Sequence, residues 1–447
     1  MLINLIRVYL VCVVARAEVI RISKIWEYLQ KPGEHLHVNR RTTAHRILDL
    51  GYPCEEHEVH TEDGYILTIF RITNSPIELE SSPRANKPKV FLQHPLFGTS
   101  DTWILNGPQH SLPFLLADRG YDVWLGNSRG NLYGRKHRNL TINHTDFWRF
   151  SWHEIGYYDL ASMLDYVLQN ETINSKQRSL HFIGHSQGTT ASMVLLSLRT
   201  EYQQLLRTVH LMAPAVFLDN TEDRLLQALS SYLGYHNLLS QQFSHQEFIP
   251  HNELFNILLY TACQQDLIWQ GFCSPMAFMM EGSLKNKNLT ALQICLETHP
   301  GGVSTNQLLH FMQVKHSSKF RQFDFGSHEN RLRYNQRHPP EYPLEMIDVP
   351  LHIWYGEGDR TVNPIDIRRL AATISDVQLH RVPDRNWSHG DFIISRNVRE
   401  YVYEPLIDIL DEYEANTMLE NEKNWQAVKR YAEQIVHSEK MELDAAA

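Results

Sequence analysis

The chain has 447 residues, 43% of them hydrophobic, enough for one large α/β domain with an insertion or for two domains. Its formal net charge of -9 and pI near 6.3 argue against a nucleic-acid partner, which would need a basic face. No apolar run reaches the roughly 18 residues of a membrane-crossing helix, so no transmembrane anchor is expected.

The chain opens on Arg7 and the apolar stretch Val8 to Val14, followed by Ala15-Arg16-Ala17. A short apolar core followed by small residues at the two positions a signal peptidase reads predicts a signal peptide over 1–17. Five Asn-x-Ser/Thr sequons occur, at Asn139, Asn143, Asn170, Asn288 and Asn386. The first four are candidate glycosylation sites; Asn386 lies too close to a candidate catalytic histidine. With Cys12 removed, Cys54, Cys263, Cys273 and Cys295 remain, without zinc-ligand spacing. Cys263 and Cys273 close a short loop and are the expected disulfide in an oxidising compartment.

Glu56 to Thr61 and Tyr65 to Ile72 read as two strands joined at Asp63-Gly64, a favoured two-residue turn. Strands are expected next at Val90 to Gln93 and Tyr121 to Leu125, then an amphipathic helix from Asp159 to Leu168. Leu180 to Ile183, Val209 to Ala213, Leu351 to Tyr355 and Val377 to Val382 continue the strands. Alternating strand and helix predicts a mostly parallel sheet flanked by helices on both faces.

Between Ala213 and Pro350 the strand rhythm stops. The intervening stretch is helix-like, aromatic and methionine-rich, as at Leu254 to Tyr260 and Met276 to Met280. An insertion between two strands of one sheet reads as a cap over the strand ends, where α/β sheets bind ligands. The expected division is a signal peptide (1–17), a core in two parts (18–214 and 347–412), a mainly helical cap (215–346) and a charged tail (413–447). In the tail, Trp425, Val428, Tyr431 and Ile435 share one helical face, and both a docking helix and a partly ordered segment are open readings.

Gly184-His185-Ser186-Gln187-Gly188 lies between an apolar strand and the helix-like run Thr189 to Leu196. In that context Gly-x-Ser-x-Gly is a nucleophile elbow. The pattern occurs again at Gly126-Asn127-Ser128-Arg129-Gly130, but a polar, glycine-broken loop follows it. Ser186 is therefore the expected nucleophile and Ser128 a structural loop residue.

A serine hydroxyl needs a base, and the base needs an orienting group. In the order serine, acid, histidine, Asp359 follows a late strand and His389 follows the last one. Glu357, Asp384 and Asp391 are nearby carboxylates in less suitable positions. The oxyanion hole needs two backbone N–H groups. Gln187 supplies one, and Leu96, in the loop His94 to Thr99, is the candidate for the other.

Gly51-Tyr52-Pro53, Thr61 to Leu67, Leu92-Gln93-His94, Gly120 to Asn131 and Gly184 to Thr190 together resemble the acid lipase family, the gastric and lysosomal ester hydrolases of α/β-hydrolase fold. The resemblance runs from about Thr42 to about Ile409. It implies a catalytic triad of Ser186, Asp359 and His389, oxyanion donors at Leu96 and Gln187, and a Cys263–Cys273 disulfide in the cap. It implies hydrolysis of lipid esters at an oil–water or membrane interface, with no metal and no cofactor. The chain departs from the family in three places. Pro95 stands where the family usually has glycine, Glu281 where it often has a cysteine, and the charged tail is long. Two other readings rank lower: a non-catalytic lipid-binding relative, which Pro95 would favour but the intact serine, acid and histidine oppose, and a serine peptidase of the same fold, for which the sequence carries no basic or acidic specificity signature.

Overall fold

The structure is a computed structural model, and it describes residues 41–76, 87–169, 180–248 and 298–419, together with 288, 291, 295, 422, 423, 425 and 426. The segment 1–17, Cys263 and Cys273, Asn170, Glu281, the runs 254–260 and 276–280, and Val428, Tyr431 and Ile435 lie outside the described residues.

Nine strands form the main sheet. They are β1 (Cys54–His60), β2 (Tyr65–Ile72), β3 (Lys89–Gln93), β4 (Asp122–Leu125), β5 (Lys136–His137), β6 (Leu180–His185), β7 (Leu206–Met212), β10 (Leu351–Tyr355) and β11 (Val377–Arg381). Two short strands, β8 (Glu247–Phe248) and β9 (Val303–Ser304), pair separately. The sheet order is β1-β2-β4-β3-β6-β7-β10-β11, with β5 on β2. From β4 to β11 every pairing is parallel. The pairings of β2 with β1, β4 and β5 are antiparallel. β3, β4 and β6 are buried almost throughout, because helices cover both faces of a parallel sheet.

The helices in chain order are α1 (Thr43–Asp49), α2 (Leu112–Asp118), α3 (Ala161–Leu168), α4 (Gln187–Leu198), α5 (Arg224–Leu233), α6 (Leu238–Phe243), α7 (Thr305–Ser317), α8 (Ser327–Tyr334), α9 (Pro364–Thr373) and α10 (Asp391–Ile394). The helix α11 runs over 404–419. Leu112, Phe114 and Leu116 of α2 pack on one face of the sheet, and Leu160, Met163, Leu164, Val194 and Leu196 on the other.

Four local features bear on the sequence reading. The first hairpin has a three-residue loop, Glu62-Asp63-Gly64, closed by Thr61 N–H donating to Tyr65 O at 2.8 Å. Gly64 has φ +101°, the left-handed position that a three-residue loop places last. The polar segment after Gly134 contributes the two-residue strand β5. The region between β7 and β10 holds α5 to α8 but also the β8–β9 pair. The expected tail start at 413 falls inside α11, where Glu414 bonds His181 and Arg207.

Candidate active site

Strand β6 ends in a sharp bend. Ser186 has φ 54° and ψ -119° at the N-cap of α4, a conformation that costs a non-glycine residue about 1–3 kcal/mol. Its N–H donates to Met212 O of the neighbouring strand at 3.0 Å, which holds the bend. At Gly188 an added Cβ would stand 2.4 Å from Gln93 O and 2.9 Å from His94 O. Only glycine lets the elbow lie against the end of β3.

His389 reaches the elbow from the loop after β11. Its Nε2 is 2.8 Å from Ser186 Oγ and its Nδ1 is 2.8 Å from Asp359 Oδ2. Asp359 Oδ1 accepts from the N–H groups of Thr361 at 2.9 Å and Val362 at 2.8 Å. An ionised carboxylate only accepts, so Nδ1 carries the imidazole proton and Nε2 faces the serine as acceptor. All three side chains are buried. The histidine loop is braced behind the ring as well. His185 Nε2 bonds His389 O at 3.0 Å, and burial drives the His185 pKa well below its usual value, which keeps that ring neutral. Ser388 donates from N and from Oγ to Asp391 Oδ2, each at 2.7 Å.

The loop after β3 lies beside the elbow. His94 Nδ1 and Gly98 N–H both bond Pro95 O, at 2.8 and 3.0 Å. His94 Nε2 takes Ser128 N–H and faces Asn131 Nδ2, each at 3.1 Å. Since Ser128 N–H can only donate, the His94 proton sits on Nδ1. Burial lowers the His94 pKa to about 4. Pro95 has no N–H, yet the candidate donor is the next residue, and its carbonyl anchors the loop. Among the described residues, the backbone N–H groups of Leu96 and Gln187 have no protein acceptor.

The second Gly-x-Ser-x-Gly braces the loop after β3 through its backbone and does not present its hydroxyl to His389. Ser128 is buried and its Oγ accepts from Gln93 Nε2 at 2.9 Å. Arg129 beside it is almost fully buried and pairs with Asp159 and Asp63. Sequence reasoning missed the supporting groups Gln93, His185 and Arg129, and also Gln307, whose Nε2 donates to Gln187 Oε1 at 3.1 Å. The last joins positions 120 residues apart, and no local pattern announces it.

The sequons divide by exposure. Asn139, Asn143 and Asn386 are exposed. Asn288 is half-buried and its Nδ2 faces Asn106 Oδ1 at 3.2 Å. Cys54 carries a free thiol, and burial raises its pKa to about 12. Among the described residues no three His, Cys, Asp or Glu side chains are grouped to hold a metal, and no helix is long and apolar enough to cross a membrane.

A mostly parallel sheet with a strained serine at the end of a central strand defines an α/β-hydrolase. Family models agree. Residues 43–107 match the partial alpha/beta-hydrolase lipase region, and residues 88–386 match the alpha/beta hydrolase fold. Lipase 3 of Drosophila melanogaster is 38% identical over 371 residues, which cover 83% of this chain and 92% of that protein. Gastric triacylglycerol lipase of Rattus norvegicus is 35% identical over 81% of this chain and 89% of its own length. Lipase member K of Homo sapiens is 34% identical, with 82% and 90% covered. The chain belongs to the lipase family of α/β-hydrolases that includes the gastric triacylglycerol lipases.

Proposed function

We propose that this protein is a carboxylic ester hydrolase that cleaves neutral-lipid esters through an acyl-enzyme on Ser186. The observation that carries this reading is the continuous Asp359–His389–Ser186 hydrogen-bond chain, 2.8 Å at each link. His389 Nε2 takes the Ser186 proton as Oγ attacks the ester carbonyl. The carbonyl oxygen becomes an anion and is held by the N–H groups of Leu96 and Gln187. Asp359 stabilises the imidazolium without itself taking the proton. The imidazolium then protonates the departing alcohol. A water deprotonated by His389 attacks the acyl-enzyme, and the imidazolium returns that proton to Ser186 Oγ as the fatty acid leaves.

Residues 18–214 and 347–412 form the hydrolase core in this reading, and 215–346 a cap that receives the acyl chain. Relatives named as triacylglycerol lipases support a neutral-lipid substrate. Residues 1–17 direct the chain into the secretory pathway, for secretion or the lysosome, and the exposed Asn139 and Asn143 are consistent with glycosylation there. A mass decrease of the secreted protein on treatment with an N-glycosidase checks that route; no decrease rejects glycosylation at those sites.

The test is hydrolysis of triglyceride emulsions, cholesteryl ester and a soluble short-chain ester. Ser186→Ala should lower kcat about a million-fold and abolish labelling by a fluorophosphonate, whereas Ser128→Ala should still be labelled. Equal turnover by wild type and Ser186→Ala would end the proposal.

A further inference from the structure

Gln187 carries one proposed oxyanion donor on its backbone, and its side chain is tied to the region between β7 and β10. The side chains of Gln187 and Gln307 are both buried. Gln307 lies in the first turn of α7, and its two amide ends are both engaged. Its Oε1 accepts the Ser304 N–H at 2.8 Å, and its Nε2 donates to Gln187 Oε1 at 3.1 Å. The Ser304 N–H can only donate, so the amide has one orientation, and that orientation turns its N–H to Gln187. The same stretch also grips the loop that carries Leu96. Gly301 N–H donates to Phe97 O at 2.7 Å. His299 Nε2 bonds Thr102 Oγ1 at 2.7 Å. An added Cβ at Gly301 would stand 2.9 Å from Gly98 O, so backbone meets backbone there. Phe97 is itself held at φ 63°, a conformation that persists only when its surroundings over-determine it.

We propose that Gln307 is a positioning residue for the oxyanion hole, and that 298–307 is a fixed strut bridging its two donors rather than part of any segment that opens for substrate. This rests on the reading of Gln187 N–H as an oxyanion donor. Ser186 ψ and the first peptide of α4 set where that N–H points. An oxyanion donor must lie within about 2.7–3.1 Å of an oxygen that forms only during reaction. A Gln187 side chain locked by Gln307 removes the freedom of that peptide to turn away. Loss of the lock should therefore act on the transition state and leave ground-state binding intact.

The experiment compares Gln307→Leu, Gln307→Glu and Gln313→Leu in the full chain with a soluble short-chain ester, with active sites titrated by a fluorophosphonate. Gln307→Leu should lower kcat about tenfold, a fraction of the effect of losing a donor outright, with KM within twofold. Its affinity for an alkylboronic acid, whose serine adduct presents an anionic oxygen, should fall in parallel. Gln307→Glu should recover most of kcat, because a carboxylate can accept from Ser304 N–H and from a turned Gln187 amide at once. Gln313→Leu removes the two bonds that tie α7 to Asp324 beyond the strut, so it should lower thermal stability but not kcat per titrated site. Unchanged kcat in Gln307→Leu, or equal kcat losses in Gln307→Leu and Gln313→Leu, would overturn the strut. Labelling that survives Ser186→Ala would instead overturn the underlying site reading.

Discussion

Ser186, His389 and Asp359 each depend on a bond that fixes a proton. Asp359 takes two backbone N–H groups on Oδ1 and leaves Oδ2 for His389. Asp359→Asn can keep the two N–H bonds, but its amide would then donate to Nδ1. The histidine proton would move to Nε2, where it opposes acceptance of the serine proton. We expect kcat to fall about 10,000-fold with little change in thermal midpoint, which ester hydrolysis and thermal melting will check. Arg129 is the contrasting case. It is buried between Asp159 and Asp63, and its guanidinium lies 4.0 Å from the Tyr65 ring centroid. Arg129→Met would leave a buried carboxylate uncompensated and should cost about 3–5 kcal/mol in urea unfolding. The two residues also differ in legibility. Asp359 stands directly after a strand and is visible from chain order. Arg129 sits in a motif that resembles a second elbow, and only its ion pairs reveal that it is a structural centre.

Element junctions bring these residues together, and glycine decides how closely. The turn after β10 packs on the histidine loop so tightly that a Cβ at Gly356 would stand 2.2 Å from Trp387 O. Gly356→Ala must push that loop away and carry His389 with it. We expect a loss of about 1–3 kcal/mol in stability and a larger fractional loss of kcat than of KM; full activity in the purified variant would reject the argument. Strands β3, β4, β6, β7 and β10 were readable because buried parallel strands are short apolar runs. Strand β5 was not, since two residues carry no period. The β8–β9 pair was hidden for the same reason, its partners, Glu247 with Ser304 and Phe248 with Val303, lying far apart in chain order. The hairpin loop was read one residue too short. Asp-Gly marks a turn, but the register of Val59 with Leu67 and His60 with Ile66 sets its length.

Across the whole molecule, four histidines form a row on adjacent strands. They are His181 on β6, His210 on β7, His352 on β10 and His380 on β11. His210 and His352 stack at 4.6 Å with planes 6° apart. His352 Nδ1 and His380 Nε2 are 3.0 Å apart. Trp354 Nε1 donates to His210 Nδ1 at 3.3 Å. His181 bonds Thr208 and, from α11, Glu414, which also pairs with Arg207. Burial lowers the pKa of all four, that of His352 to about 4, with His380 adding to the effect. The unfolded chain therefore binds more protons than the folded one below its ordinary histidine pKa of about 6.5. The stability contributed by this row is present above that pH and is lost as pH falls toward 4. The urea midpoint should drop steeply between pH 7 and pH 4.5, and His352→Phe should flatten that slope while keeping the stack. A slope unchanged by the substitution would remove the row as its cause.

The sequence by itself determined the class of fold and singled out Ser186, Asp359 and His389 as the candidate triad, because each rests on a local pattern of strand, turn and helix. Hydrophobic runs and glycine-flanked bends need no distant partner to be recognised. Only the tertiary structure decided that Gln307 reaches Gln187, that Pro95 anchors the loop carrying Leu96 through its carbonyl, and that four histidines share one row. Those are contacts between side chains far apart in the chain, and their chemistry exists only once packing has brought them within hydrogen-bonding distance and excluded water.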